Sequence, residues 1–202
     1  MPRFDIILTS WNRPDFLRRT VGSLIQSGAM EGCERFILVD NGSTEEGVES
    51  FLTDMAHYQK TFVLRRPTND GWATAVNDAL GISRAPYVFL VNNDVEFDLD
   101  FHLKMLDCLG AHPSLGLLAG WRHTAHSVTH THDDYDEMTD VPAVCWLLDK
   151  FAMEKVGMLR QNGPCFTKGG NGEDTDYTQR MMAAGFRVGA IKQDCARHLT
   201  GY

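Results

Sequence analysis

Residues 4–28, FDIILTSWNRPDFLRRTVGSLIQSG, hold the first decision about the fold. Positions 4–9 form a largely apolar run of strand length. Pro14 stands where a first helical turn tolerates a missing N–H. Phe16, Leu17, Val21, Leu24 and Ile25 then recur at helical spacing, with Arg18, Arg19 and Gln26 on the other face, and Gly28 ends the run. The same alternation continues outward. Apolar strands at 36–39, 61–64 and 87–91 are followed by helical patterns over 45–58, 71–83 and about 99–110. Strands apolar on both faces, separated by helices, predict an α/β fold with one Rossmann-like, mostly parallel sheet covered on both sides.

Such sheets bind ligands beyond the carboxyl ends of their strands. The residues there are Ser10-Trp-Asn-Arg13, Asp40-Asn-Gly-Ser43, positions 65–71 and Asn92-Asn-Asp94, all polar and rich in Asp, Asn or Arg. The second half reads as a strand at 115–119, a polar His-rich stretch from Trp121 to Asp140, and a strand at 143–148. A short helix near 150–156, a Gly/Pro loop at 160–172, a helix over 173–184 and a strand over 186–191 follow. No repeat or linker divides the chain, so one compact domain over 1–202 is expected.

The 202 residues carry 19 Lys+Arg against 27 Asp+Glu, a formal charge of −8. That balance argues against holding nucleic acid by bulk charge, which Lys and Arg supply. No stretch approaches the ~20 apolar residues a membrane span needs, and the first residues do not read as a signal peptide. The 5 cysteines are scattered without a C-x-x-C. They predict reduced thiols in a cytoplasmic protein.

Each polar cluster has a chemical and a plain reading. Asp40 suits a nucleoside hydroxyl or base N–H, and equally an Asx-turn with Gly42. Neither GxxxxGK[ST] nor GxGxxG is present, so a nucleotide must be held another way. Asp94 at a strand end suits Mn²⁺ or Mg²⁺, which take one or two protein carboxylates and let phosphates complete the shell. The plain reading is a capped turn. Glu173 and Asp174 open a helix after glycines. They complement its dipole, or one serves as general base toward a hydroxyl. Four histidines (123, 126, 130 and 132) lack a metal-binding spacing and read better as a polar loop or strand edge. Trp121 and Trp146 each offer a face for ring stacking, although Trp146 lies in an apolar run that equally predicts core.

The ordered set ILTSWNRP (7–14), LVDNGST (38–44), Asn69-Asp-Gly-Trp72 with Asn77, FLVNNDVE (89–96), GEDTD (172–176) with Arg180 and Gly185, and a late His198 resembles family 2 glycosyltransferases of the GT-A fold. The resemblance runs over nearly the whole chain. It implies nucleotide-sugar contacts from Ser10, Trp11, Arg13, Asp40, Ser43, Asn69, Gly71 and Asn93, and metal contacts from Asp94 and His198. Asp174, beside Glu173, matches the catalytic base. Asn92 stands where the DxD metal motif has its first Asp, a departure shared with rhamnosyl- and galactofuranosyltransferase-like members. The implied reaction is an inverting transfer from a UDP- or dTDP-sugar to a hydroxyl-bearing acceptor, assisted by Mn²⁺ or Mg²⁺. Residues 1–112 would bind the donor and 113–202 the acceptor, with the 160–172 loop closing over the sugar. Trp121 and Trp146 would face the acceptor, and a hydroxylated nucleic-acid base is a minor acceptor candidate. Two other functions are a sugar-phosphate nucleotidyltransferase, whose glycine- and arginine-rich opening loop is missing, and a non-catalytic nucleotide- or glycan-binding relative.

Overall fold

A computed structural model describes residues 2–122, 128–163, 165–166 and 172–200. Six strands and five helices build its first half. In chain order these are β1 (Phe4–Ser10), α1 (Pro14–Gln26), α2 (Ala29–Gly32), β2 (Arg35–Asp40), α3 (Val48–Ala56), β3 (Thr61–Arg65), α4 (Trp72–Ile82), β4 (Tyr87–Asn92), β5 (Val95–Phe97), α5 (Phe101–Ala111) and β6 (Leu115–Ala119). The second half adds β7 (Val128–Thr131), β8 (Tyr135–Met138), β9 (Cys145–Asp149), α6 (Lys150–Val156), α7 (Glu173–Ala183), β10 (Arg187–Ile191) and β11 (Ala196–His198). The count of five helices before β6 includes the single turn α2, which the sequence does not announce.

Nine strands form one sheet in the order β3-β2-β1-β4-β9-β6-β10-β8-β7. Following the pairings across it, only β8 and β9 run against the others, so the sheet is mostly parallel, as expected. Alternation along each strand sorts the core onto two faces. Ile6, Leu8, Phe36, Leu38 and Phe89 point to the layer with α1, α3 and α5. Ile7, Ile37, Val39, Val88 and Leu90 point to the layer with α4, α6 and α7. The one buried charge in β1, Asp5, is spent on structure. Its Oδ2 accepts from Ser83 Oγ at 2.8 Å, Arg84 N at 2.8 Å and Ala85 N at 3.1 Å, closing the turn into β4.

The polar stretch after Trp121 holds an antiparallel hairpin, β7–β8, at the sheet edge. Tyr135 and Met138 are buried while all of β7 is exposed. His130 and His132 therefore sit on an edge hairpin; His123 and His126 lie outside the described residues. A second two-stranded ribbon pairs β11 with β5 in antiparallel register, His198 opposite Val95. The helix expected over 45–58 begins only at Val48, after Gly47 at φ 85°. Among the described residues no helix is long and apolar enough to cross a membrane, and all five cysteines are free thiols.

Candidate functional site

The carboxyl ends of β1, β2 and β4 open onto a cavity of about 300 Å³, lined by Ser10, Trp11, Asn41, Asn69, Asn93 and their neighbours. A larger cavity of about 680 Å³ adjoins it and carries Glu173, Asp174, His198 and Thr200, with Pro142–Val144 on one wall. Arg13, Trp72, Asn92 and Asp94 line both, so the two are one continuous cleft.

The loops that shape the smaller cavity are clamped by Asn12. Both Asn12 and Arg13 adopt left-handed backbone, each at φ 54°. Such conformations are costly for residues with a Cβ, and compensation is needed. Asn12 N donates to Ser43 Oγ at 2.7 Å, and Asn12 Oδ1 accepts from Thr44 N at 2.9 Å and Glu45 N at 3.1 Å. The Arg13 N–H also donates to Glu45. Gly42, at φ 74°, lets the second loop press on the third: a Cβ there would lie 2.5 Å from the Thr68 carbonyl carbon.

Asp40 and Ser43, expected to touch the nucleotide, do not line either cavity. Ser43 N donates to Asp40 Oδ1 at 3.1 Å, the Asx-turn that the local sequence equally predicts, and Asp40 Oδ2 lies 4.0 Å from Arg65 Nε. Ser43 Oγ is occupied by Asn12. The neighbour that does reach the cavity is Asn41, which the sequence reading passed over. Its Nδ2 donates to Asn69 Oδ1 at 2.8 Å and to the Gly71 carbonyl at 3.2 Å, while its buried Oδ1 has no donor among the described residues. Gly71 thus serves through its carbonyl, behind the wall rather than in it. Ser10 is buried, and its Oγ accepts from Asn93 Nδ2 at 3.3 Å. Trp11 stands 53% exposed at the mouth.

Asp94 occupies the junction of the two cavities. Its Oδ1 lies 3.3 Å from His198 Nε2, and its Oδ2 lies 3.4 Å from both Arg13 Nη1 and Thr200 Oγ1. The β11–β5 ribbon delivers His198, and Leu199 N donates to the Asp94 carbonyl at 2.8 Å. Burial alone would push the Asp94 carboxyl up, but His198, Arg13 and Thr200 outweigh it and hold it below the ordinary carboxylate value. An anionic oxygen with an imidazole and a hydroxyl beside it is a donor set that suits a divalent cation. Glu96, next along, turns outward to Arg19 at 2.7 Å and Arg197 at 3.0 Å.

The opposite wall is the first turn of α7. Gly172 enters it at φ 141°, where a Cβ would meet the Cys165 carbonyl oxygen at 2.6 Å. Glu173 Oε2 accepts from Gly172 N at 3.1 Å, and Asp174 Oδ1 accepts from Thr175 N at 2.8 Å. The third acid, Asp176, faces away and is spent on Arg180 at 2.8 Å. Asp174 differs from Asp94 in the sign of its shift. Burial raises its carboxyl above the ordinary value, the Thr175 N–H opposes this, and the nearby Asp140 charge adds to the rise. Asp140 is held by Thr175 Oγ1 at 3.0 Å and Thr178 Oγ1 at 3.3 Å. One carboxyl is therefore lowered and the other raised, the divergence that separates acid–base roles between two carboxyls.

Trp146 corrects an expectation. It is fully buried, stacked on Tyr177 at 6.0 Å and edge-on to Trp72 at 6.1 Å, so it packs the core and presents no face to a sugar. Trp72 takes its place on the cavity wall. Trp121 lies behind His198, ring centroids 5.6 Å apart, and lines neither cavity. Much of the 160–172 stretch lies outside the described residues.

Residues 5–180 match the profile of glycosyl transferase family 2. Among individual proteins, the chain is 25% identical over 142 residues to Protein CgeD of Bacillus subtilis (strain 168), covering 68% of this chain and 32% of CgeD. Its fold resembles that of mannosyltransferase PcManGT from Pyrobaculum calidifontis, solved with GDP-Man and Mn²⁺: TM-score 0.73, 14% identity, 93% of this chain and 54% of that one. It also resembles GalNAc-T7, solved with UDP, GalNAc and Mn²⁺: TM-score 0.80, 10% identity, 98% of this chain and 44% of that one. The chain thus spans about a third of the length of CgeD and about half of the two solved structures. The fold is GT-A, and with a profile match reaching from the first strand into α7, the chain belongs to glycosyl transferase family 2.

Proposed function

We propose that this chain transfers a sugar from a nucleoside-diphosphate sugar to an acceptor hydroxyl with inversion at the anomeric carbon. The observation that carries the reading is the continuous cleft with Asp94 at its junction and Asp174, its carboxyl raised by burial, on the far wall. The smaller cavity suits the nucleoside. Asn41 Oδ1, buried and without a donor among the described residues, offers an acceptor to a base N–H, and Asn69, Ser10 and Asn93 line the same space. Asp40, Ser43 and Gly71 hold that wall from behind.

The diphosphate lies best between Arg13 and the Asp94–His198 pair, which fits Mn²⁺ or Mg²⁺. When bound, the cation neutralises charge on the leaving diphosphate. Arg13, paired with Asp94 Oδ2 at 3.4 Å, adds a second positive charge there. Asp174 accepts the acceptor's hydroxyl proton as the new carbon–oxygen bond forms and the bond to the diphosphate breaks from the opposite face. Glu173 orders the entry to α7. Residues 1–112 serve the donor, and 113–202 supply the base and the acceptor wall at Pro142–Val144. The likeness to structures holding GDP-Man or UDP widens the donor panel beyond UDP- and dTDP-hexoses.

The test is a donor panel (UDP-, dTDP- and GDP-sugars) with Mn²⁺ or Mg²⁺ and water or mixed glycans as acceptors. Release of nucleoside diphosphate with a β-configured product from an α-donor supports the reading. Pyrophosphate release instead identifies a nucleotidyltransferase, and donor binding without turnover identifies a non-catalytic relative.

A further inference from the structure

Toward the β7 edge of the sheet, three side chains of different ligand chemistry converge. Cys108 lies in the last turn of α5, and His112 is the residue that caps the helix, four positions on. Asp134 comes from the turn between β7 and β8. One ligating atom from each lies within 4.8 Å of the other two. None of the three lines the catalytic cleft.

We propose that Cys108, His112 and Asp134 form a second metal site, built for Zn²⁺ and separate from the Asp94–His198 pair. The donor set decides the metal. A thiolate with an imidazole selects Zn²⁺ over Mn²⁺ or Mg²⁺, which prefer all-oxygen shells. Ligands bound to zinc at about 2.0–2.3 Å stand roughly 3.3–3.8 Å apart in a tetrahedron, so the cluster needs only a modest contraction. Side-chain rotations at the end of α5 and in a turn can supply it. His112 Nε2 already sits 3.0 Å from Asp134 Oδ1.

Charge also balances. Thiolate and carboxylate cancel the ion's two positive charges, which suits a buried cysteine beside two half-buried partners. Without metal, burial and the Asp134 charge push the Cys108 thiol up to about 12. Binding therefore expels the thiol proton to solvent as sulfur becomes a ligand. Asp134, with its side chain 42% exposed, leaves a fourth position for water. His132 is a second candidate for that position: its ring lies 5.7 Å from that of His112 and stacks on Tyr135 at 4.3 Å. The consequence is a staple joining the end of α5 to the edge hairpin.

The inference stands apart from the glycosyl-transfer reading, because its test needs no activity. Co²⁺ is titrated into metal-stripped, reduced protein while the thiolate-to-cobalt charge-transfer absorption is followed, and Zn²⁺ is then added to displace it. The wild type and Asp94→Ala should each develop the band at one equivalent; Cys108→Ser should lose it, and His112→Gln should develop it only at higher Co²⁺. Zn²⁺ should raise the melting temperature of the wild type, and His112→Gln, at a half-exposed position that does not threaten folding, should bind Zn²⁺ at least tenfold more weakly. No band in the wild type, a band retained in Cys108→Ser, or an undiminished Zn²⁺ shift in His112→Gln overturns the proposal.

Discussion

His198 Nε2 lies 3.3 Å from Asp94 Oδ1 although the two residues are over a hundred positions apart, because β11 pairs with the short strand β5 that directly follows Asp94. A carboxylate lowered by its neighbours and an imidazole are thereby presented together at the junction of two cavities. Asp94→Ala should weaken cation-dependent binding of a nucleoside diphosphate by tenfold or more, about 1.4 kcal/mol. His198→Ala should do less, because the anionic oxygens remain. Calorimetry with and without Mn²⁺ measures both, and equal affinity in Asp94→Ala removes Asp94 from the cation site.

Asp174→Asn should cut transfer by about 10²–10⁴-fold, the usual worth of a general base. Donor affinity should stay near normal, since Asp174 stands on the opposite wall from the proposed nucleoside cavity. Unchanged turnover would assign the proton to another group.

The raised carboxyl of Asp174 sets a pH profile and a stability cost with the same origin. Transfer requires its anionic form, so kcat/KM should fall in acid, at a pH higher than an ordinary aspartate would give. Stability runs the other way. A carboxyl whose folded pKa lies above its unfolded value weakens the fold as pH rises through that window. Asp174→Asn should therefore melt higher than wild type at neutral pH, with the gap closing in acid, where both side chains are neutral. A lower melting temperature at pH 7 contradicts the burial account.

Asn12 is a structural keystone at the edge of the site. Asn12→Ala leaves two backbone N–H groups without their acceptor and keeps the left-handed backbone without its compensation. The loss should be about 1–3 kcal/mol in urea unfolding, with donor KM rising because the first two strand-end loops come apart. A shift confined to stability separates the clamp from the site.

Much of this molecule is legible in its sequence where structure is local. The four early strands announce themselves by apolar runs, and α1 by its period and Pro14. The parts that escape are short and paired over long distances. β11 is only three residues, and nothing near Ala196 says that its partner is β5. Likewise, the direction of β9 between β4 and β6 is set by chain path and not by composition. The same contrast holds in the site. Arg13, Asn69, Asn93 and Asp94 are found because strand ends are the place to look. Trp72 stands in the 69–72 motif without a charged or ligand-type group to single it out, and Asn41 stands beside Asp40, whose charge draws the assignment. Trp146 lies in an apolar run, and that plainer signal is the one the packing obeys.

The reversed strand β9 has an architectural consequence. Gly120 N donates to the Cys145 carbonyl at 2.9 Å, and Asn92 N donates to the Val144 carbonyl at 3.2 Å. The chain thus departs at the end of β6 and re-enters the sheet at the start of β9, at the same rim. The described residues between them form an excursion whose two feet, at Gly120 and Val144, are pinned beside the cleft. Between these feet β8 pairs with β10, so the excursion is also tied back into the sheet it leaves.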